Sequence, residues 1–103
     1  MGSRNCCTEL RRFYKVWSRV LPHVSFDIEE DEDEGTYLTM VAGPCTLIIG
    51  ATDRDFDGIL RVPERDVLEL ANFNTEIEYR KVSRDLSTVL MYLRIQYETE
   101  FDL

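Results

Sequence analysis

The stretch from Gly35 to Thr52 restricts the fold of this chain more than any other segment. It contains no charged residue, and it is crowded with β-branched and aromatic residues. Turn-forming residues interrupt it at Gly43-Pro44 and follow it from Asp53 onwards. This pattern favours an antiparallel meander over a helix. The predicted strands run over about 36–42, 45–52 and 58–62.

Amphipathic helices are predicted at the two ends of the chain. The first runs from about 8 to 21, with apolar residues at three- and four-residue spacing on one face. Trp17 belongs to this face and is predicted to lie in the core. The second helix runs from about 84 to 99, with Ser83 as its N-cap. Because the middle strand is apolar on both faces, we expect a layer to cover each face of the sheet.

Four further segments complete the predicted fold. Residues 24–29 alternate between apolar and polar side chains, as a half-buried strand does. An acidic loop is predicted at 29–35, since six consecutive like charges resist packing. A short helix is predicted over about 64–72. The composition of residues 75–82 also permits a helix, but their alternation favours an edge strand or a linker. The chain is therefore expected to be one α+β domain, an antiparallel meander of three to four strands packed with N- and C-terminal helices.

The charges of the chain are unevenly distributed. The net charge is −8, but the first 23 residues carry five basic side chains and one acidic side chain. So acidic a chain is a poor general nucleic-acid binder, because phosphate contacts need positive surface. The first helix instead suits an acidic or phosphorylated protein partner, since Arg binds carboxylate and phosphate in bidentate fashion. The alternative is a solvated helix surface that balances the acidic remainder. The predicted partner-binding residues are Arg11, Arg12, Lys15 and Arg19.

The sequence lacks the residue combinations that catalysis or cofactor binding requires. Nucleophile-elbow, phosphate-loop, dinucleotide-binding and zinc-protease motifs are all missing. The three cysteines, Cys6, Cys7 and Cys45, do not form a disulfide framework or a Cys-x-x-Cys pair, and His23 is the only histidine. We therefore predict a domain that is not an enzyme, holds no cofactor or metal, and works in a reducing intracellular compartment.

Targeting and membrane segments are not recognisable in the sequence. There is no signal peptide, and the uncharged run is too short and too interrupted by Gly43-Pro44 to be a membrane span. The opening Met-Gly-Ser, residues 1–3, is expected to be an expression-tag remnant, which leaves open that the chain is part of a longer protein.

From Asp53 to Glu64 the chain matches the spacing of an EF-hand calcium loop. Asp53, Asp55 and Asp57 would supply oxygen ligands, Gly58 the sharp turn and Glu64 the bidentate ligand. Such a loop needs a helix before it, but the preceding residues favour a strand. The sequence therefore predicts a hairpin turn here, with a calcium-binding module as the alternative function.

The last helix carries more apolar residues than one face can hold. Besides its core stripe, Met91, Tyr92 and Ile95 form a second, partial apolar face. In a small domain, such a helix either lies deep in the core or meets a partner. Tyr92 and Ile95 are therefore predicted to belong to a dimer or partner face.

The order of helix, strand, acidic loop, meander, short helix and final helix resembles the RWD-like heads of kinetochore proteins. The similarity is greatest to the C-terminal heads of the mitotic arrest deficient one family of spindle-checkpoint scaffolds, which have a similar Cys-Leu-Ile-Phe-type strand and closing helix. Related RWD-like heads of the outer-kinetochore microtubule-linking complex are a close alternative. The segments that carry the likeness are Phe13 to Trp17, Val24 to Ile28, Tyr37 to Thr39, Cys45 to Thr52 and Ser83 to Phe101.

This resemblance implies a place of work and a set of partners. It implies a parallel homodimer that joins through the first helix and an upstream coiled coil. It also implies that the head helps to recruit a checkpoint kinase or another kinetochore protein in the nucleus during mitosis. Where that family has an Arg-Leu-Lys motif, this chain has Glu-Leu-Arg-Arg at residues 9–12.

Overall fold

A computed structural model of the chain describes residues 5–33, 35–63 and 76–97. The predictions for residues 1–3, for a helix over 64–72 and for Glu64 lie outside these ranges. The described part has an α+β fold with two helices and five strands, which confirms the predicted class. In chain order the elements are α1 (Cys6–Val20), β1 (Ser25–Asp31), β2 (Gly35–Ala42), β3 (Cys45–Ala51), β4 (Phe56–Pro63), β5 (Glu76–Ser83) and α2 (Leu86–Gln96).

The five strands form one antiparallel sheet in the order β1-β2-β3-β4-β5. The prediction of three to four strands was too low, because the segment left open as an edge strand or linker is β5. Ile77 and Tyr79 pair with Val62 and Leu60 of β4, so their apolar side chains lie on the buried side of the sheet. Glu76, Glu78 and Arg80, which alternate with them, are exposed and point the other way, as the two-residue period of a strand requires.

The first half of the acidic run is strand rather than loop, which corrects the prediction of an acidic loop at 29–35. Glu29, Glu30 and Asp31 belong to β1 and pair with β2. Strand pairing tolerates these charges because successive side chains point to opposite faces, which separates neighbouring carboxylates. The turn that follows is short, and Asp33 N donates to Asp31 Oδ1 at 2.8 Å. Gly35 then returns the chain with φ of 111°, a backbone angle that favours glycine.

Both helices pack on the same face of the sheet. α1 lies against β1, β2 and β3, and α2 lies against β4 and β5. Among the described residues, the expectation of a covering layer therefore holds for one face only. We call the opposite side the open face; Val41 and Val82 are exposed on it. The buried core between the helices and the sheet contains Leu10, Leu38, Met40, Leu47, Ile49, Phe56, Leu60, Val62, Val89 and Leu93.

Side-chain caps fix where the two helices begin. Asn5 is the N-cap of α1, and its Oδ1 accepts a hydrogen bond from Thr8 N at 3.1 Å. Asp85, not the predicted Ser83, is the N-cap of α2, and its Oδ1 accepts from Ser87 N at 3.0 Å. β5 extends through Ser83, so the helix cannot begin there. Neither α1 nor α2 has the length and apolar character that a membrane-spanning helix needs.

Candidate functional site

The predicted basic residues lie together on the outer surface of α1. Arg11, Lys15 and Arg19 are spaced four residues apart, so they follow one another along the helix. Arg12, Lys15 and Arg19 are exposed, whereas Arg11 is half-buried. We call these four residues the basic face. The structure therefore brings together the residues that the sequence assigned to partner binding.

Arg11 already has an acidic neighbour within the chain. Its Nη1 donates to Glu30 Oε1 at 2.7 Å, and the two side chains are 43% and 56% exposed. A pair so exposed contributes at most about 1 kcal/mol, because water screens the attraction. Within the described ranges, Arg12, Lys15 and Arg19 form no ion pair. These three cations are therefore the part of the basic face that a partner can use without breaking a contact.

Two shallow pockets border the basic face. One, of about 360 Å³, lies between Arg11, Lys15 and β1, with Tyr14 and Ile28 in its lining. The other, of about 250 Å³, is lined by Thr8, Arg11, Arg12 and Lys15. Both are small and partly polar, which suits a carboxylate or phosphate group better than a large apolar ligand.

A larger groove separates α1 from α2, and we call it the interhelix groove. Its volume is about 480 Å³. The rings of Phe13 and Trp17 form its α1 wall, with ring centroids 5.7 Å apart. Trp17 is thus half-buried on this wall rather than enclosed in the core as predicted. The α2 side of the groove is lined by Leu86, Ser87, Leu90, Met91 and Arg94.

The second apolar face predicted on α2 is divided in the structure. Ile95 is 66% exposed and Met91 is 62% exposed, and four-residue spacing places them in one row on the helix. Tyr92 is half-buried instead, and Lys81 Nζ lies 5.4 Å from the centroid of its ring. Three residues correspond to a rotation of about 300° around the helix axis, which is less than a full turn. The side chain of Tyr92 therefore lies to one side of Ile95, toward β5. Of the two predicted residues, only Ile95 presents a free apolar surface.

The aspartate-rich segment is a hairpin turn, as the sequence predicted. Thr52 N donates to Asp55 O at 2.9 Å, which closes the turn between β3 and β4. The segment is flanked by strands, so the helix–loop–helix frame of an EF-hand is not present at this turn. Asp53 and Asp55 lie in the turn, whereas Asp57 belongs to β4. Within the described residues no three His, Cys, Asp or Glu side chains come close enough to hold a metal ion.

Gly58 lies within β4, in agreement with the predicted strand over 58–62 and not in the sharp turn that the calcium-loop alternative required. A Cβ atom at this position would lie 2.2 Å from Val89 Cγ1 and 2.9 Å from Leu93 Cδ1. The missing side chain thus lets α2 approach the sheet closely. Packing of α2, rather than the geometry of a calcium loop, explains the glycine.

A small pocket on the open face was not predicted from the sequence. Tyr37, Gly50, Asp57 and Val82 are successive partners across four strands, and all four line this pocket of about 300 Å³. Gly50 leaves the space between its neighbours. The Oδ1 atom of Asp57 is buried there without a hydrogen-bond partner.

Known proteins supply no assignment for this surface. Comparisons of the chain with protein-family models, with curated proteins and with solved structures find no match. The function must therefore be inferred from the geometry and the charges of the chain itself.

The sequence pointed to the basic face but missed the interhelix groove. The spacing of Trp17 predicted a core residue, because an amphipathic pattern does not show where two helices diverge. One signal was present: Met91 falls outside the core stripe of the last helix. The groove needed the positions of both helices on the sheet before it could be recognised.

Proposed function

We propose that this chain is a non-catalytic protein-interaction domain that recruits an acidic or phosphorylated partner through the basic face. The observation that carries the proposal is the exposure of Arg12, Lys15 and Arg19 on one helix of a chain whose net charge is −8. Within the described residues, these cations form no ion pair. Concentrated positive charge on an acidic protein attracts a negative partner and sets its orientation.

We further propose that the domain is an RWD-like head of a kinetochore or spindle-checkpoint scaffold. The order of elements, in which a helix leads into an antiparallel meander and a second helix follows it, supports this proposal. The proposal includes a homodimer, for which the exposed Ile95 on α2 is the candidate contact. A fluorescent fusion followed through mitosis tests it: the signal should concentrate at kinetochores, and an even distribution would contradict the assignment.

Comparison of two charge-reversed variants tests the interaction proposal. In one, Arg12, Lys15 and Arg19 are changed to Glu. In the control, Arg54, Arg80 and Arg84 are changed to Glu, which alters the net charge equally at exposed positions outside the basic face. The Arg84–Asp55 pair that this reversal breaks is long, at 3.8 Å, and Arg84 is 91% exposed, so the pair contributes little to stability. Arg11 is left intact, because its reversal would place two acids at the Arg11–Glu30 contact.

Affinity purification from the native cells should then recover acidic or phosphorylated proteins with the wild-type chain and with the control. Those proteins should be depleted with the α1 variant, because like charges repel at the contact. Equal recovery with all three chains would contradict the proposal. Circular dichroism of both variants verifies that the fold is kept.

A further inference from the structure

We propose that the interhelix groove takes an acidic amphipathic α-helical segment of a partner protein. This inference rests on the proposed function and adds the form of the ligand to it. The groove is about 480 Å³ in volume, within the range of roughly 300–1,000 Å³ of ligand sites. Its lining is mostly apolar, including two aromatic rings. Such a groove between two helices is suited to the apolar side of a third helix.

The apolar surface continues beyond the groove on both helices. Val16 is 51% exposed and lies three residues after Phe13, so it continues the α1 wall outwards. On α2, Met91 is 62% exposed and forms the opposite rim. Exposed hydrophobic residues that adjoin a groove mark an interaction site, whereas single ones are ordinary. A small apolar molecule would cover only the floor, but a helix can cover the floor and both rims.

The charges around the groove call for an acidic occupant. α1 carries four basic residues and one acidic residue, and α2 carries one basic residue and none that is acidic. Arg94 lines the groove itself. Arg12 and Arg19 lie four residues before and three residues after Val16, so both adjoin the apolar rim. Carboxylates on the flanks of a docked helix would meet Arg12 and Arg19 while its apolar residues enter the groove.

A second copy of the chain fits this surface less well. A two-fold symmetric contact places the same patch of both copies face to face. Two copies of the same net-positive patch would then face each other, and like charges across an interface are unfavourable. The surface therefore matches a foreign acidic helix better than itself.

The probe for this proposal is a displayed peptide library of about 16 residues, long enough for a marginally stable helix. Positions i, i+3, i+4 and i+7 are randomised among apolar residues, and the other positions are Glu or Ala. The best binder is synthesised together with two controls: a permuted peptide of equal composition and a version with Lys in place of Glu. Trp17 is the only tryptophan of the chain and lies in the groove, so its fluorescence reports occupancy directly.

The library should yield acidic binders, and the best one should shift the Trp17 emission to saturation. The permuted and Lys-containing peptides should bind at least about tenfold more weakly, because they lose the apolar alignment or the charge match. The double variant Val16→Ser, Met91→Ser should lose about tenfold in affinity. Val82→Ser is the matched control, since Val82 is 60% exposed but lies on the open face, and it should bind normally.

Several outcomes would overturn the proposal. The proposal fails if the library yields no enriched acidic binders. It also fails if permutation of the peptide, or the double change at Val16 and Met91, leaves the affinity unchanged. A Trp17 shift that appears with protein concentration alone would assign the groove to a second copy. One outcome separates the two proposals: an acidic peptide leaves the Trp17 emission unchanged and loses affinity only for the Arg12, Lys15, Arg19 variant. In that case the groove proposal fails while the basic-face function stands. If neither set of variants affects recruitment of native partners, both fail.

Discussion

A side chain at position 58 would have no room beneath α2. A Cβ there would lie 2.2 Å from Val89 Cγ1, closer than atoms can pack. We expect Gly58→Ala to lower the free energy of unfolding by about 1–3 kcal/mol, the usual effect of overpacking a core. Urea titration measures this change.

Gly50→Ala provides the matched control for this prediction. Its Cβ would meet the ring of Tyr37 at 3.1 Å on the open face, where the ring can give way. The loss of stability should therefore be smaller than for Gly58→Ala. The double variant Gly58→Ala, Val89→Ala should be less destabilised than the sum of its single changes, because removal of the Val89 methyl groups relieves the clash. Simple additivity would contradict the packing explanation.

The aspartates at the β3–β4 turn are not expected to bind calcium. Asp53 and Asp55 lie in the turn and Asp57 lies in the neighbouring strand, and they do not assemble into a metal site with other described residues. We expect no saturable heat when the protein is titrated calorimetrically with calcium up to about 1 mM, where even weak calcium modules bind. Saturable heat that disappears in Asp53→Asn would show that the turn does bind calcium.

The start of α2 depends on one cap. Asp85 Oδ1 accepts hydrogen bonds from Ser87 N at 3.0 Å and from Ser87 Oγ at 2.7 Å. We expect Asp85→Ala to lower the free energy of unfolding by about 0.5–2 kcal/mol, because an N-terminal amide loses its partner. Ser83→Ala should have a smaller effect, since Ser83 ends β5 and its Oγ accepts from Asp85 N, at 3.1 Å, outside the helix. Chemical denaturation of both variants tests this order, and a larger loss for Ser83→Ala would place the cap where the sequence predicted it.

The elements themselves were largely predictable from the sequence, and the exceptions have physical causes. The strands of the meander follow from β-branched residues between turn formers, and both helices follow from their apolar spacing. β5 was left open because only Ile77 and Tyr79 mark its buried side, and its pairing with β4 decides it. The acidic residues of β1 predicted a loop, but they pair with β2 in the sheet. Their mutual repulsion is reduced because successive side chains of a strand point to opposite faces.

The candidate site was predictable only where it belongs to a single element. The basic face lies on one helix, so its four-residue spacing was visible in the sequence. The interhelix groove depends on where two helices, far apart in sequence, lie on the sheet. Likewise, Tyr92 and Ile95 looked equivalent until β5 provided Lys81 as a neighbour for Tyr92. Tertiary placement, which local patterns do not encode, separated them.

The proposed homodimer would form through α2. Ile95 is the most exposed large hydrophobic residue of α2, and its burial against a second copy would remove apolar surface from water. We expect light scattering to show a dimer at high micromolar concentration and a monomer for Ile95→Ser. Val82→Ser, on the open face, should remain dimeric. A wild-type chain that stays monomeric throughout would contradict the proposed dimer, although it would leave recruitment through α1 intact.

Recruitment through the basic face is tested most directly by the affinity of the chain for a purified native partner, measured as a function of salt concentration. Recruitment through the basic face predicts that affinity falls steadily as salt shortens the Debye length from about 10 Å to about 3 Å. It also predicts that changing Arg12, Lys15 and Arg19 to Glu weakens binding by at least about tenfold and removes most of this salt dependence. The equally charged variant at Arg54, Arg80 and Arg84 should behave like the wild type. Affinity that is unchanged by salt and by the α1 reversal would return the basic face to an ordinary solvated surface and contradict the proposed function.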